Sequence, residues 1–229
     1  MVQLVIVFAM ALAGTALAQD APELKSPKEK LSYALGMNFG NQLKGQSIDI
    51  NPDIFVQALK DTLSGSKMLM TQEQAQATIA ELQKEITQKQ QALMAALAEK
   101  NKAEGQEFLA KNKTAEGIVT LASGLQYKIL KAGEGKKPAL DDTVVCNYRG
   151  TLINGTEFDS SYKRNEPATF PVKGVIKGWT EALQLMPAGS KWQLFIPPGL
   201  AYGERGAGGP IGPNATLIFE VELLSVQGK

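Results

Sequence analysis

Two periods of apolar residues divide the chain. Between residues 27 and 111 apolar side chains recur every three or four positions; from Ser123 onward they alternate in short runs separated by turn residues. The first regime predicts helices. Ser26-Pro27-Lys28-Glu29 supplies a capping serine, a proline at the first helical position and a glutamate three residues after the serine. A helix therefore starts near Pro27, with Leu31, Ala34, Leu35 and Phe39 on one face and Gly45 as its stop. Asn51-Pro52 starts a second helix, whose stripe is Phe55, Val56, Leu59 and Leu63 and whose end is Ser64-Gly65. A third begins at Thr71, where Gln74 completes another capping box, and runs through Lys111 without a proline, for a length of about 60 Å at 1.5 Å per residue. Its stripe of Ile79, Leu82, Ile86, Leu93 and Leu97 is narrow and is broken by Lys89, which predicts a mostly solvated strut rather than a coiled coil.

The second regime predicts strands over residues 125–130, 143–151, 168–172, 190–196 and 215–226, with Asn154-Gly155 as a tight reversal. One helix interrupts them over 178–186, with Trp179, Ala182 and Leu183 facing inward and Pro187-Ala188-Gly189 ending it. A single short helix covers one face of a sheet, so the expected fold is α+β: a helical module, a long connecting helix, and an antiparallel sheet wrapped around one helix. The expected domains are 1–18, 19–70, 71–113 and 114–229. The two short helices span too few residues to bury a core alone, which predicts that residues 27–65 pair with a second copy of the chain.

Residues 1–18 carry no charged side chain, hold the apolar run Leu4 to Leu12 and end in Ala16-Leu17-Ala18 before Gln19, the pattern of an export signal. The 24 basic and 23 acidic side chains nearly cancel, so net charge draws the chain to neither nucleic acid nor an anionic membrane. There is no histidine, which excludes a serine-histidine-acid triad, a cysteine-histidine pair and a histidine-ligated metal; no cofactor is expected. Cys146 is the one cysteine and shares a strand face with Val144 and Tyr148, as a buried filler does. The chemistry concentrates between Tyr148 and Phe219, where the acid Asp159 stands among Tyr148, Phe158, Val175, Ile176, Trp179, Tyr202, Ile211 and Phe219. Such a set suits an apolar pocket with one polar handle. Gly206-Ala207-Gly208-Gly209 is not a phosphate cradle, because a strand follows it and no lysine-serine or lysine-threonine pair closes it.

Tyr148-Arg149-Gly150, Gly155-Thr156-Glu157-Phe158-Asp159-Ser160-Ser161, Val175-Ile176-Lys177-Gly178-Trp179, Ala201-Tyr202-Gly203 and Ala215-Thr216-Leu217-Ile218-Phe219 together resemble an FKBP-type peptidyl-prolyl cis-trans isomerase domain. Lys30-Leu31-Ser32-Tyr33-Ala34-Leu35-Gly36, Asp49-Ile50-Asn51-Pro52 and Ser123-Gly124-Leu125-Gln126-Tyr127 resemble the macrophage infectivity potentiator group of that family. The resemblance implies catalysis of X-Pro rotation with Asp159, Tyr202, Tyr148, Phe158 and Phe219 as catalytic positions. Trp179 would form the floor, Val175, Ile176 and Ile211 the rim, and Arg164 and Ala168 further substrate contacts. Asp159 either acts on the twisted carbonyl, orients the tyrosines or shapes an Asx turn with Ser160-Ser161; Arg164 either pairs with it or is an ordinary exposed loop arginine. The family places phenylalanine where this chain has Ala168 and often histidine where it has Ala207, so a more open outer cleft is expected, with consequences for binding of macrolide inhibitors. The implied partners are proline-containing polypeptides and a second copy of the chain in a V-shaped dimer, in the periplasm or at the outer membrane or surface of a Gram-negative bacterium. A client-holding chaperone or a surface interaction protein, with catalysis secondary, is the alternative.

Overall fold

Capping chemistry sets the helical boundaries. The computed structural model describes residues 23–228, so the expected export segment lies outside the described residues. Helix α1 spans Pro27–Gly45, with the Ser26 hydroxyl accepting from Glu29 N–H and the Glu29 carboxylate accepting from Ser26 N–H. Helix α2, Pro52–Ser64, starts under the Asn51 side chain and ends on Gly65 at φ +69°, the left-handed cap that glycine adopts without strain. Helix α3 spans Gln72–Asn112, behind a reciprocal pair of bonds between Thr71 and Gln74. The chain divides into two compact units between Gln74 and Ala75.

In the first unit neither α1 nor α2 has a buried residue. Phe39 and Phe55 stack at 4.9 Å, and the rest of both stripes, Leu31, Leu35, Val56, Leu59 and Leu63, stays exposed.

In the second unit seven strands form one antiparallel sheet. They are β1 Ile118–Thr120, β2 Gln126–Lys131, β3 Thr143–Leu152, β4 Glu157–Ser160, β5 Ala168–Pro171, β6 Lys191–Ile196 and β7 Leu217–Gln227. The order is β1-β2-β6-β7-β3-β4, and β5 shares the free side of β3 with β4. Five strands match the sequence reading to within two residues at each end; β1 and β4 are additional. Asn154-Gly155 reverses the chain between β3 and β4, with Gly155 at φ +85°. A one-turn helix α4, Ser161–Arg164, follows β4, and α5, Lys177–Leu185, lies against one sheet face. Inward residues alternate along the strands, Val144, Cys146 and Tyr148 on β3 and Leu217, Phe219, Val221 and Leu223 on β7, and meet Trp179, Ala182 and Leu183 of α5. Gly178 permits that approach, since a Cβ there would lie 2.6 Å from Ile196. Burial of Cys146 pushes its thiol up to about 12.

Most of α3 is solvated, as the broken stripe predicts, but its C-terminal end is not free. Phe108 packs on Phe195 at 5.9 Å, Asn112 donates to Gln126 at 2.8 Å, and buried Gln126 donates to the Leu109 carbonyl at 2.9 Å. Leu97, Asn101, Gly105, Phe108 and Asn112 thus continue one helical face, in residue types that a search for apolar periodicity passes over.

Candidate active site

The site is assembled where β3, β4, β7 and the N-terminal end of α5 converge. Trp179, 4% exposed, is its floor: the indole meets Tyr148, Phe170 and Phe219 edge-on, with centroids at 5.4, 5.7 and 5.3 Å. Phe158 stands perpendicular to Phe219 at 5.4 Å. Gly150, beneath both rings, has no room for a side chain: a Cβ would lie 2.5 Å from Phe158 and 2.7 Å from Phe219. The result is a cavity of about 660 Å³, roofed on one side by a loop that supplies Ala207, Gly208, Pro210 and Ile211.

Phe158 and Asp159 are neighbours in sequence yet both line the cavity. In a regular strand they would point to opposite faces. The register explains the exception, because Gly150 pairs with Asp159 and Thr151 with Glu157, which leaves Phe158 as the extra residue of a bulge.

The polar corner is closed by a triangle. Tyr148 Oη donates to Asp159 Oδ2 at 2.5 Å, Arg164 Nη1 donates to Asp159 Oδ1 at 2.6 Å, and Arg164 Nη2 donates to Tyr148 Oη at 2.7 Å. Ser160 N–H adds a bond to Oδ1 at 2.8 Å, so both carboxylate oxygens are engaged. Arg164 reaches this corner from the last position of α4, which buried Ser161 ties to β3 by accepting from Tyr148 N–H at 2.9 Å. Burial works to raise the Asp159 pKa; the bonds from Tyr148 and Arg164, the guanidinium charge and Ser160 N–H outweigh it and hold the carboxyl below its ordinary value. Burial, reinforced by the neighbouring carboxylate, pushes the Tyr148 phenol up.

Nine residues singled out from the sequence line one cavity: Tyr148, Phe158, Asp159, Val175, Ile176, Trp179, Tyr202, Ile211 and Phe219. Arg164 joins through its bonds to Asp159 and Tyr148 rather than as wall. Ala168 is not on the wall; it sits opposite Cys146 in the β5–β3 pairing, and Phe170, two residues on and on the same strand face, takes the wall position. Phe170 was missed, although alternation from Ala168 pointed to it. The Asx turn is not formed as expected, since Asp159 accepts from the next N–H rather than from the one after. Tyr202 stands at the rim, 42% exposed. Among the described residues Ile176 N–H donates to no other group, the buried Trp179 Nε1 has no hydrogen-bond partner, and no cluster of three or more acidic or cysteine side chains gathers to hold a metal ion.

Comparison with known proteins gives concordant matches. Residues 134–224 match the family described as FKBP-type peptidyl-prolyl cis-trans isomerase, and residues 28–129 match the domain amino terminal to it. The chain is 51% identical to the outer membrane protein MIP of Legionella longbeachae, over 96% of this chain and 95% of that one. It is 47% identical to the peptidyl-prolyl cis-trans isomerase Mip of Coxiella burnetii, over 95% of this chain and 94% of that one. The crystal structure of FkpA from Escherichia coli superposes with a TM-score of 0.72 at 40% identity, covering 90% of this chain and 99% of that one.

Proposed function

The chain belongs to the FKBP-type peptidyl-prolyl cis-trans isomerases and catalyses X-Pro rotation, and from that premise we propose that the cavity over Trp179 is where the prolyl bond turns. The observation that carries this reading is the aromatic box bordered by the Tyr148–Asp159–Arg164 triangle.

Rotation about an X-Pro bond meets a barrier of about 18–20 kcal/mol, because the planar amide is stabilised by charge separation between nitrogen and oxygen. A proline ring on the indole face places that amide among Tyr148, Phe158 and Phe219, which solvate its polar planar form less well than water does and so favour the twisted form. Lowering the barrier by about 8 kcal/mol accelerates rotation about a millionfold, within what positioning and desolvation supply without a nucleophile. Ile176 N–H and the Tyr202 hydroxyl, at the rim, hold the carbonyls of the peptide on either side. Asp159 has both oxygens engaged and carries no proton to give, which favours positioning of Tyr148 over direct action on the twisted carbonyl.

Initial rates on an X-Pro tetrapeptide test this reading. Asp159→Leu should lower kcat/KM about tenfold by removing the acceptor that Tyr148 and Arg164 share, and Tyr202→Phe about threefold. Parent-like rates in both would overturn the assigned roles.

We further propose that residues 27–65 form a homodimer, supported by the uncovered apolar stripes of α1 and α2, and that paired chains hold unfolded clients. Location in the cell envelope of a Gram-negative bacterium is supported by the name of the Legionella longbeachae relative. Ala207, small on the roof, supports a wide mouth and a weakened grip on macrolide inhibitors.

A further inference from the structure

The cavity wall formed by Ala207, Gly208, Pro210 and Ile211 does not belong to the sheet. It is a flap whose shape is set locally: Ala207 N–H donates to the Ile211 carbonyl at 3.0 Å and Ile211 N–H to the Gly208 carbonyl at 3.2 Å. Such bonds fix the form of a turn but not its position over the indole. Position is decided at the base, where Asn214 N–H donates to the Gly203 carbonyl at 2.9 Å and the next contacts go to α3.

Asn101 of α3 donates from Nδ2 to the Pro213 carbonyl at 2.8 Å, and Asn214 Nδ2 reaches back to the Ala98 carbonyl at a weaker 3.4 Å. Beside them Gly212 lies so close to the helix that a Cβ would stand 2.9 Å from Leu97 and 3.3 Å from Asn101 Nδ2. One turn further, Gly105 is pressed on Thr216 in the same way, with 2.4 Å from a would-be Cβ to Oγ1. Small residues at the contact let helix and loop approach, and an amide between them satisfies a carbonyl that would otherwise be half-buried without a partner. Sequence reading treats α3 as a connector; this contact gives it a second task.

We propose that α3 positions the flap, and that Asn101 is a positioning residue for isomerisation: its bond to Pro213 sets the height of Ile211 over Trp179, and with it the fit of the prolyl substrate. The inference rests on the cavity being the prolyl site. It also means that a fragment cut after α3, for instance at Ala115, lacks the clamp, whereas one cut at Ala75 keeps it.

The test uses the full chain carrying Asn101→Asp, which keeps the shape but sets an acceptor against an acceptor, or Asn101→Ala. Gly212→Ala, which forces Leu97 aside, provides an independent perturbation. Backbone amide exchange at Ala207 and Ile211 should quicken about tenfold in all three, while exchange at Tyr148 N–H keeps its parent rate. KM for an X-Pro tetrapeptide should rise about threefold to tenfold with kcat within about twofold, the mark of lost binding rather than lost chemistry. Unchanged exchange at Ala207 and Ile211, equal quickening at Tyr148, or a quickened flap with unchanged KM each overturns the proposal. Because exchange is read without turnover, an inactive parent would sink the prolyl-site reading and still leave the clamp decided by its amides.

Discussion

Asp159 shows how one side chain can be polar, partly buried and still held in its charged form. Its pKa is lowered against burial by Tyr148 and Arg164, so its charge stabilises the fold at any pH above its ordinary value of 3.8 and is lost as pH falls through the lower folded value. For kcat/KM this predicts no acid limb above 3.8 that belongs to Asp159. Arg164→Ala removes two bonds from the triangle; it should move that limb to higher pH and lower kcat/KM at neutral pH about fivefold, a modest effect because solvent screens the pair at this half-exposed corner. A pH–rate profile of the two proteins checks it, and superimposable profiles would contradict it. Tyr148, Phe158, Trp179 and Phe219 were legible in the sequence as pocket residues through the motifs that resemble the family, whereas Phe170, outside those motifs, was not. The pairing of Arg164 was left open beside an exposed loop arginine, because it depends on α4, a four-residue helix too short to show a period in the sequence.

The long strands and the helices were readable from period, caps and turns: β3 and β7 alternate over ten and eleven residues, and α1, α2 and α3 carry their N-terminal capping residues at the positions the sequence marks. The short elements were not. Strand β1 has three residues and β4 four, too few for a period, and in β4 the bulge at Phe158 breaks the alternation that would have announced a strand. Yet that bulge brings Phe158 and Asp159 to the same cavity. Its counterpart on β3 is Gly150, and there the structure makes a sharp prediction. Gly150→Ala places a methyl group within 2.5 Å of Phe158 and 2.7 Å of Phe219, so the walls must move. We expect a loss of about 1–3 kcal/mol in stability by urea unfolding, the usual cost of overpacking, and a fall of more than about tenfold in kcat/KM. A variant with parent activity would show that the two rings do not define the wall.

At the scale of the whole molecule the apolar stripes of α1 and α2 stand uncovered among the described residues, with Leu63 80% exposed and Phe39 and Phe55 stacked on each other. A second copy covers them in the dimer proposed above. Phe55→Glu should then halve the mass in sedimentation, leave tetrapeptide turnover within about twofold, and reduce suppression of client aggregation, because only the last needs paired chains. A parent protein that sediments as a monomer would remove the dimer while leaving the isomerase intact. The measurement that bears most directly on the account is a titration with an X-Pro peptide, followed on the indole N–H resonances of the two tryptophans. Trp179 lies under the cavity, whereas Trp192 stacks on Tyr127 at 4.2 Å in β6 and is absent from the cavity lining. The account predicts that the Trp179 signal shifts with peptide, that the Trp192 signal stays, and that exchange between cis and trans peptide resonances accelerates in the same sample. Acceleration with a stationary Trp179 signal, or with Trp192 moving instead, would place the chemistry elsewhere and contradict it.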